Sequence, residues 1–351
     1  MRRRVAILGS GISGLLAAEA FEGVDVDLRI FDDGRSPETR GYADRLGHLD
    51  PIGDTKAFRE LLDFYKLDFS TYSNRVGILL RDEIRPYPFC FERRRRDKDR
   101  KEVQQALAVV RFDLFTKSRG VSPLHLSETI DRETKERRTC LRFDLTRLAE
   151  GLRKGFEYSP GKLVRVTALD VTAQGEAPWG FDLCVMALPL WRWREIADYP
   201  VPEAFASRLN FAEVSPHTID EITSGAYPDD ALSRQAVAER WAPWDFVWTP
   251  YTPDQLVYAV SQHREGYLVH FGGAFEGEEV RQRLTNELNF FFQSGWYVKN
   301  LTRDTLGFCM VDDLDVAFPD TVVPLGRYAE WVQHRPLHRV YEAALSLRER
   351  F

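Results

Sequence analysis

The stretch VAILGSGISGLLAAEAFEGVDVDLRIFDD, residues 5–33, decides the fold of this chain. It opens with a short apolar run that ends at Gly9, after which the leucines and alanines of residues 15–20 have the spacing of a helix packed on a sheet. Residues 26–31 then have the composition of a second strand. The order strand, glycine turn, helix, strand predicts the beginning of a doubly wound α/β fold.

Three glycines in this stretch, Gly9, Gly11 and Gly14, complete the pattern G-x-G-x-x-G between the predicted strand and the predicted helix. Glycines let the backbone approach a diphosphate closely, and a helix N-terminus offers unpaired N–H donors and the positive end of a dipole. A glycine-rich turn without a ligand is the alternative, and the position between strand and helix argues against it. We therefore predict a dinucleotide site formed by these glycines and by Ser13 within the same turn.

An acidic residue follows at the end of the second strand, where Asp32 lies 23 residues after Gly9. A carboxylate at this place hydrogen-bonds a ribose 2′-hydroxyl and repels a 2′-phosphate, which argues against NADP. Asp33 is the adjacent alternative. The motif alone does not distinguish FAD from NAD.

The composition is that of a globular protein, since 44% of the 351 residues are hydrophobic and 29% are charged. The 48 basic and 54 acidic residues leave a net charge of -6, which argues against a surface given over to nucleic acid or membrane. No window approaches the roughly 20 uninterrupted apolar residues of a membrane-spanning helix. The glycines of the first turn also interrupt any signal-like apolar stretch.

Cysteine and histidine spacing predicts neither disulfides nor a metal site. Cys90, Cys140, Cys184 and Cys309 are scattered without a CxxC pair, so neither a disulfide framework nor a thiolate zinc site is indicated, and a cytoplasmic location is expected. His263 and His270 lie seven residues apart without a neighbouring ligand pattern, so no metal is predicted.

Hydrophobic periodicity predicts further elements along the chain. Helices are expected at 56–65, 144–155 and 278–292, and strands at 75–84, 163–169, 181–187, 256–260 and 267–271.

Four segments in the same order resemble the superfamily of FAD-dependent amine oxidases, protoporphyrinogen oxidases and UDP-galactopyranose mutases. They are the N-terminal glycine pattern, RVGILLRDEIRPYPF at residues 75–89, FDLCVMALP at 181–189 and PLGRYAEW at 324–331. The resemblance implies an α/β fold, namely a Rossmann-like FAD-binding domain of the GR2 type with an inserted α+β substrate domain. It places the FAD-binding domain at 1–88, 141–200 and 300–351, and the substrate domain at 89–140 and 201–299.

The resemblance also implies roles for residues outside the first motif. Gly326 and Arg327 would meet the diphosphate and the flavin, where a forked arginine can neutralise phosphate charge. A surface ion pair is the alternative for Arg327. Val166, in the segment 164–166, would line the adenine. His48 lies where mutase-like members carry a histidine loop beside the isoalloxazine, and a solvated loop histidine is the alternative.

Two departures from the family concern the substrate. The acidic cofactor segment near the C-terminus of amine oxidases is not evident in residues 306–324, and the aromatic, basic loop of the mutases is not recognisable between residues 89 and 142. The resemblance therefore implies a cofactor more strongly than a substrate.

A substrate pocket is predicted in the aromatic-rich region that begins near residue 241. Its aromatic and basic residues are Trp241, Trp244, Trp248, Tyr251, Tyr258, His263, Arg264 and His270. Aromatic faces hold amines and arginine holds carboxylates, so Tyr251 and Arg264 are candidate active-site residues together with His48. The alternative is that these aromatic residues form a core.

The predicted activity is FAD-dependent oxidation of a carbon–nitrogen centre in an amine or amino-acid-like substrate, with imine formation followed by hydrolysis. A non-redox flavoenzyme like the mutases is one alternative, and a nucleotide-binding regulatory protein without turnover is another.

Arg93, Arg94, Arg95 and Arg96 form a basic run with two interpretations. One is a solvated, charge-balanced surface. The other is a nucleic-acid-binding arm for an amino-acid-decorated base in phage-type DNA, whose phosphate contacts would make binding fall steeply with salt.

Overall fold

The computed structural model describes residues 2–32, 52–80, 83–86, 139–159, 161–203, 206–216, 239–249, 257–263, 266–272, 278–292, 296–310, 316–330 and 335–349. The chain divides into two compact units. Unit one comprises Met1–Tyr72, Arg138–Phe205 and Asp312–Phe351, and unit two comprises Ser73–Arg137 and Ala206–Val311.

Unit one contains both helices and strands. They are β1 (Arg3–Leu8), α1 (Ile12–Ala20), β2 (Val26–Phe31), β3 (Ile52–Gly53), α2 (Lys56–Phe64), β4 (Phe69–Ser73), β7 (Thr139–Phe143), α3 (Leu145–Lys154), β8 (Tyr158–Ser159), β9 (Leu163–Val166), β10 (Asp170–Ala173), β11 (Trp179–Gly180), β12 (Leu183–Met186), α4 (Leu190–Ile196), β18 (Val322–Pro324) and α6 (Leu337–Arg348).

Unit two is built mainly from strands. Its elements are β5 (Val76–Leu80), β6 (Glu83–Pro86), β13 (Ala206–Pro216), β14 (Phe246–Trp248), β15 (Val257–His263), β16 (Gly266–Gly272), α5 (Glu278–Phe292) and β17 (Trp296–Met310).

The central sheet of unit one is parallel and has the strand order β18-β12-β1-β2-β8. Numbered by their order along the chain, these five strands follow the sequence 5-4-1-2-3, which is the order of the dinucleotide-binding fold. The prediction of a Rossmann-like α/β fold is thereby confirmed. The order reverses between β1 and β12, and ligands of such sheets bind beyond the carboxyl ends of the strands at this point.

Two smaller sheets complete unit one. One has the antiparallel order β11-β10-β9, and the other has the order β3-β7-β4. Two of the helices begin at a side-chain cap: Thr55 accepts a hydrogen bond from the Phe58 N–H at the start of α2, and Asp144 accepts one from the Arg147 N–H at the start of α3.

Unit two contains a seven-stranded sheet with the order β17-β13-β16-β15-β14-β5-β6. The segment predicted as one strand at 75–84 forms two antiparallel strands, β5 and β6, and β5 pairs in parallel with β14. Trp296–Met310 pairs with Ala206–Pro216 in the same sheet. The predicted domain boundaries remain predictions. The strand pairings put residues 76–86 and 296–310 in the sheet of unit two, whereas the prediction placed 76–86 and 300–310 in the FAD-binding domain.

The first helix, α1, is buried on almost every side, and its Glu19 is buried with it. The Tyr65 hydroxyl donates a hydrogen bond to Glu19 Oε2 at 2.5 Å. Burial raises the pKa of Glu19 above its usual value, although the hydrogen bond from Tyr65 opposes the change. Folding therefore shifts the protonation equilibrium of Glu19 toward the neutral acid relative to the unfolded chain.

Stability is expected to depend on pH through Glu19. A carboxyl group whose pKa is raised by folding stabilises the protein fully below its unfolded value, near 4.5, and this contribution is lost as pH rises through the folded value. We expect the wild-type protein to lose stability relative to Glu19→Gln as pH rises from 4.5. Urea unfolding at a series of pH values from 4.5 upward measures the difference in the free energy of unfolding, with Glu150→Gln, at an exposed position on α3, as control. A constant difference at all pH values would contradict the expectation.

Candidate functional site

The turn between β1 and α1 requires glycine at its first position. Gly9 has φ +101°, a value that side chains rarely tolerate, and its N–H donates to the Phe31 carbonyl at 2.8 Å. A Cβ at Gly9 would lie 3.0 Å from Leu188 Cδ2 and 3.3 Å from the Ala187 carbonyl oxygen. The turn therefore lies against the chain that leaves β12, at the point where the strand order reverses.

Gly14 permits close packing of α1 on this turn. A Cβ at Gly14 would lie 1.8 Å from the Gly9 carbonyl oxygen and 3.4 Å from Ala187 Cβ. The contact is to backbone, which cannot rotate away as a side chain would. The third glycine of the pattern is thus required by the fold itself.

Gly11 has a different role, because its backbone does not require glycine. It caps α1 with φ −65° and ψ 169°, and as the cap residue it makes no side-chain hydrogen bond to the first turn of the helix. The N–H groups at this helix end carry the positive end of the helix dipole. A diphosphate supplies the acceptors that such a helix end lacks.

The C-terminal segment predicted from the family resemblance reaches the same turn. Gly326 has φ +98°, and a Cβ there would lie 2.4 Å from Ser13 Oγ and 2.9 Å from Ser13 Cβ. The preceding residue, Leu325, donates its N–H to the Met186 carbonyl at 2.9 Å, which continues the pairing of β18 with β12. Residues that lie far apart in the chain therefore share one contact at the N-terminus of α1.

Glu330 holds the Gly326 turn in shape. Its Oε1 accepts hydrogen bonds from the Gly326 N–H at 2.8 Å and from Arg335 Nε at 2.9 Å. Arg327 is half-buried, and its guanidinium lies 5.3 Å from the centre of the Tyr328 ring. A diphosphate contact of Arg327 remains a prediction.

Asp32 lies at the end of β2, as predicted, and is buried. Its Oδ2 accepts a hydrogen bond from Ser10 Oγ in the glycine turn. The same oxygen lies 3.6 Å from Nη2 of Arg153, which belongs to the last turn of α3. The sequence analysis missed Arg153, because nothing in the α3 pattern shows that its side chain reaches β2.

A buried histidine is a second residue that the sequence analysis missed. His338 is 1% exposed, and its Nδ1 accepts a hydrogen bond from the Gly53 N–H at 2.9 Å. The bond joins β3 to the first turn of α6 across 285 positions of sequence. Neither residue belongs to a recognisable motif, so no sequence signal could have paired them.

Val166 lies at the end of β9 and is completely buried. Its carbonyl accepts a hydrogen bond from the Asp198 N–H at 3.0 Å, and it pairs with Val171 of β10. The pairing with Val171 belongs to the small antiparallel sheet, whereas the hydrogen bond from Asp198 joins β9 to the chain that follows α4. A contact with adenine remains a prediction.

Several predicted site residues lie outside the described part of the chain. They are Asp33, His48, Arg93, Arg94, Arg95, Arg96, Tyr251 and Arg264. Their proposed roles remain predictions.

In unit two, Trp241 and His270 of the predicted aromatic pocket contribute to the core. Trp241 is 1% exposed and packs against Tyr267, with ring centres 6.0 Å apart. His270 is completely buried, with its Nε2 2.8 Å from Ser261 Oγ, and its ring packs against Phe246. The core interpretation therefore holds for these residues.

No metal centre or membrane helix is found in the part of the chain that the structure describes. No three histidine, cysteine or acidic side chains within it are grouped so as to hold a metal ion. None of its helices combines the length and the apolar character needed to cross a membrane.

A groove of about 660 Å³ in unit one lies away from the glycine turn. It is lined by residues at the beginnings of β1 and β2 and at the C-terminal ends of α1 and α3, including Arg4, Phe21, Asp27 and Phe156. Because parallel sheets bind ligands at the carboxyl ends of their strands, this groove is not the dinucleotide site.

Comparison with known proteins supports the fold. No protein-family model matches the chain, and no curated protein sequence matches it. Reduced UDP-galactopyranose mutase superposes with a TM-score of 0.63 at 10% identity, over 99% of this chain and 93% of that chain. Cyclohexylamine oxidase from Brevibacterium oxydans gives 0.60 at 12% identity, over 100% and 99% of the two chains.

Putrescine oxidase bound to putrescine gives a TM-score of 0.55 at 11% identity, over 100% of this chain and 99% of that chain. Identities this low establish a shared fold. The chain therefore shares its fold with UDP-galactopyranose mutase, cyclohexylamine oxidase and putrescine oxidase.

Proposed function

We propose that the protein binds FAD and is an oxidoreductase that oxidises a carbon–nitrogen centre of an amine or amino-acid-like substrate. The observation that carries the proposal is the contact of Gly326 with Ser13 beside the Gly9 turn. Two glycine segments from opposite ends of the chain meet at the uncapped end of α1, beyond the switch point of a parallel sheet. This arrangement fits a dinucleotide diphosphate.

Different residues of unit one would bind different parts of the dinucleotide. Gly9, Gly11 and the first turn of α1 would bind the diphosphate, with Gly326 at the same place. Asp32 would accept a hydrogen bond from the adenosine ribose. FAD, when bound, supplies the electron acceptor for the reaction.

The proposed reaction begins with removal of two electrons and two protons from the substrate, one proton from carbon and one from nitrogen. The carbon–nitrogen bond becomes an imine, which water hydrolyses to a carbonyl compound and a released amine. Two of the structural relatives are named as oxidases of putrescine and of cyclohexylamine, which supports an amine substrate. The candidates for holding that substrate are His48, Tyr251 and Arg264.

A second candidate function, a non-redox mutase reaction on a sugar nucleotide, is favoured by the superposition on UDP-galactopyranose mutase. The phage-type DNA substrate has less support, because no observation on the described residues favours it. Its proposed contacts, Arg93 to Arg96, lie outside those residues.

Anaerobic flavin bleaching tests the proposal and its alternatives together. Purified protein should show flavin absorption, and acid precipitation should release FAD. We expect an amine, a polyamine or an amino acid to bleach the flavin without oxygen, and oxygen to restore the colour. Sugar nucleotides and modified-base DNA are tested in parallel.

Each other outcome selects an alternative. Isomerisation of a sugar nucleotide by the dithionite-reduced protein, without oxygen consumption, would support the mutase. Bound FAD that no substrate reduces would support a regulatory protein. A protein that retains no FAD and does not take it up would contradict the proposal.

A further inference from the structure

We propose that Arg153 is a positioning residue that holds the Asp32 carboxylate in place for the 2′-hydroxyl of an adenosine ribose, a role that rests on the proposed dinucleotide site. Arg153 belongs to none of the four segments that resemble the superfamily. Its role follows from the contacts at the end of β2.

Three separate elements of unit one meet at the Asp32 carboxylate. Ser10 comes from the turn after β1, Asp32 itself from the end of β2, and Arg153 from the last turn of α3. Ser10 Oγ and Arg153 Nη2 both lie at Asp32 Oδ2, the arginine nitrogen at 3.6 Å. A hydroxyl donor and a cation on one carboxylate oxygen restrict the rotation of the carboxylate.

The neighbouring strand holds Arg153 in its turn. The guanidinium lies 5.1 Å from the centre of the Tyr158 ring, and the Tyr158 hydroxyl donates to the Arg153 carbonyl at 3.3 Å. Tyr158 lies on β8 opposite Ile30 of β2, one strand from Asp32. Tyr158 therefore fixes both the backbone and the side chain of Arg153 beside the end of β2.

The cost of this arrangement points to function. Arg153 Nη1 is buried and makes no hydrogen bond within the part of the chain that the structure describes. A buried donor without an acceptor destabilises the folded protein, and such groups in native structures call for an explanation. Arg2, by contrast, forms its ion pair with Asp25 where both side chains are largely exposed to solvent.

The charge of Arg153 also bears on the choice of nucleotide. A carboxylate alone repels a 2′-phosphate, whereas a nearby arginine accommodates one. Arg153 Nη2 lies within ion-pair distance of Asp32 Oδ2, so the positive charge of the arginine is paired with the carboxylate and is not left to bind a 2′-phosphate. We therefore expect the site to prefer a ribose 2′-hydroxyl to both a 2′-deoxyribose and a 2′-phosphate.

Three adenosine ligands test the role by competition with FAD on apoprotein: ADP, 2′-deoxy-ADP and adenosine 2′,5′-bisphosphate. A hydrogen bond to a charged acceptor makes wild-type protein bind ADP roughly tenfold more tightly than 2′-deoxy-ADP. In Arg153→Gln we expect the preference for ADP over 2′-deoxy-ADP to fall below about threefold, because Asp32 loses the cation that holds it. Arg153→Lys keeps a cation there and should keep most of the preference. Arg147→Gln, an exposed site on the same helix, is the charge-matched control.

The ratio separates positioning from a structural role, since a loosened fold would weaken both ADP ligands equally. An unchanged ratio in a folded Arg153→Gln protein would overturn the inference and leave FAD binding intact. Tighter binding of the 2′-phosphate than of ADP by the wild-type protein would also overturn it. Failure of the wild-type protein to bind FAD or ADP would contradict the proposed function itself.

Discussion

Replacing Gly14 with alanine is expected to destabilise unit one by about 3 kcal/mol or more, at or beyond the upper end of the usual cost of overpacking. The new Cβ would lie 1.8 Å from the Gly9 carbonyl oxygen, so α1 would have to move away from the turn. Because α1 is buried on almost every side, that movement would disturb the whole core around it. Urea unfolding followed by circular dichroism measures the loss.

Gly155→Ala is the matched control for this prediction. Gly155 has φ −82°, and a Cβ there would meet nothing closer than the Leu152 carbonyl oxygen at 3.7 Å. Alanine at such a position is expected to be neutral or to stabilise by about 0.5 kcal/mol, through the unfolded state. Equal unfolding midpoints for the two variants would show that α1 does not pack on the turn as described.

Replacing Gly11 with valine is expected to leave a folded protein that has lost its flavin. The backbone at Gly11 is extended, so valine can adopt its φ and ψ angles, and we expect a loss of stability of about 1 kcal/mol for a poor helix cap. The valine side chain would occupy the approach of a diphosphate to the end of α1. We expect FAD affinity to fall at least 100-fold, roughly 3 kcal/mol.

The ratio of flavin absorbance to protein absorbance measures retention, and titration of apoprotein with FAD gives the affinity. The near-ultraviolet circular dichroism of the variant should match that of the wild-type protein. Gly155→Ala should keep its flavin. A yellow Gly11→Val protein with unchanged affinity would show that the diphosphate does not approach at this glycine.

Together, Gly14 and Gly11 separate two requirements that one sequence pattern combines. Glycine is needed at Gly14 for folding, since a side chain there would collide with the protein's own backbone. At Gly11 the backbone angles suit any residue, so we expect glycine to be needed there for ligand binding and not for folding. The pattern G-x-G-x-x-G marks both positions in the same way, and only their surroundings distinguish them.

The sequence alone was sufficient for the elements whose signals are local. The first strand, turn and helix follow from apolar spacing and three glycines, and α3 and α5 follow from apolar residues three to four positions apart. The place of Asp32 at the end of β2 follows from the strand-like composition of residues 26–31, directly before it. Such signals are local because helix and strand geometry repeat over a few residues.

Only the tertiary structure decided which distant residues meet. The contact of Gly326 with Ser13, the hydrogen bond from Gly53 to His338 and the approach of Arg153 to Asp32 depend on how strands are ordered and helices packed. The strand predicted at 75–84 is two strands, β5 and β6, which pair with each other, and β5 also pairs with the distant β14. Apolar periodicity specifies which side of an element is buried, whereas packing of the whole chain determines what covers it.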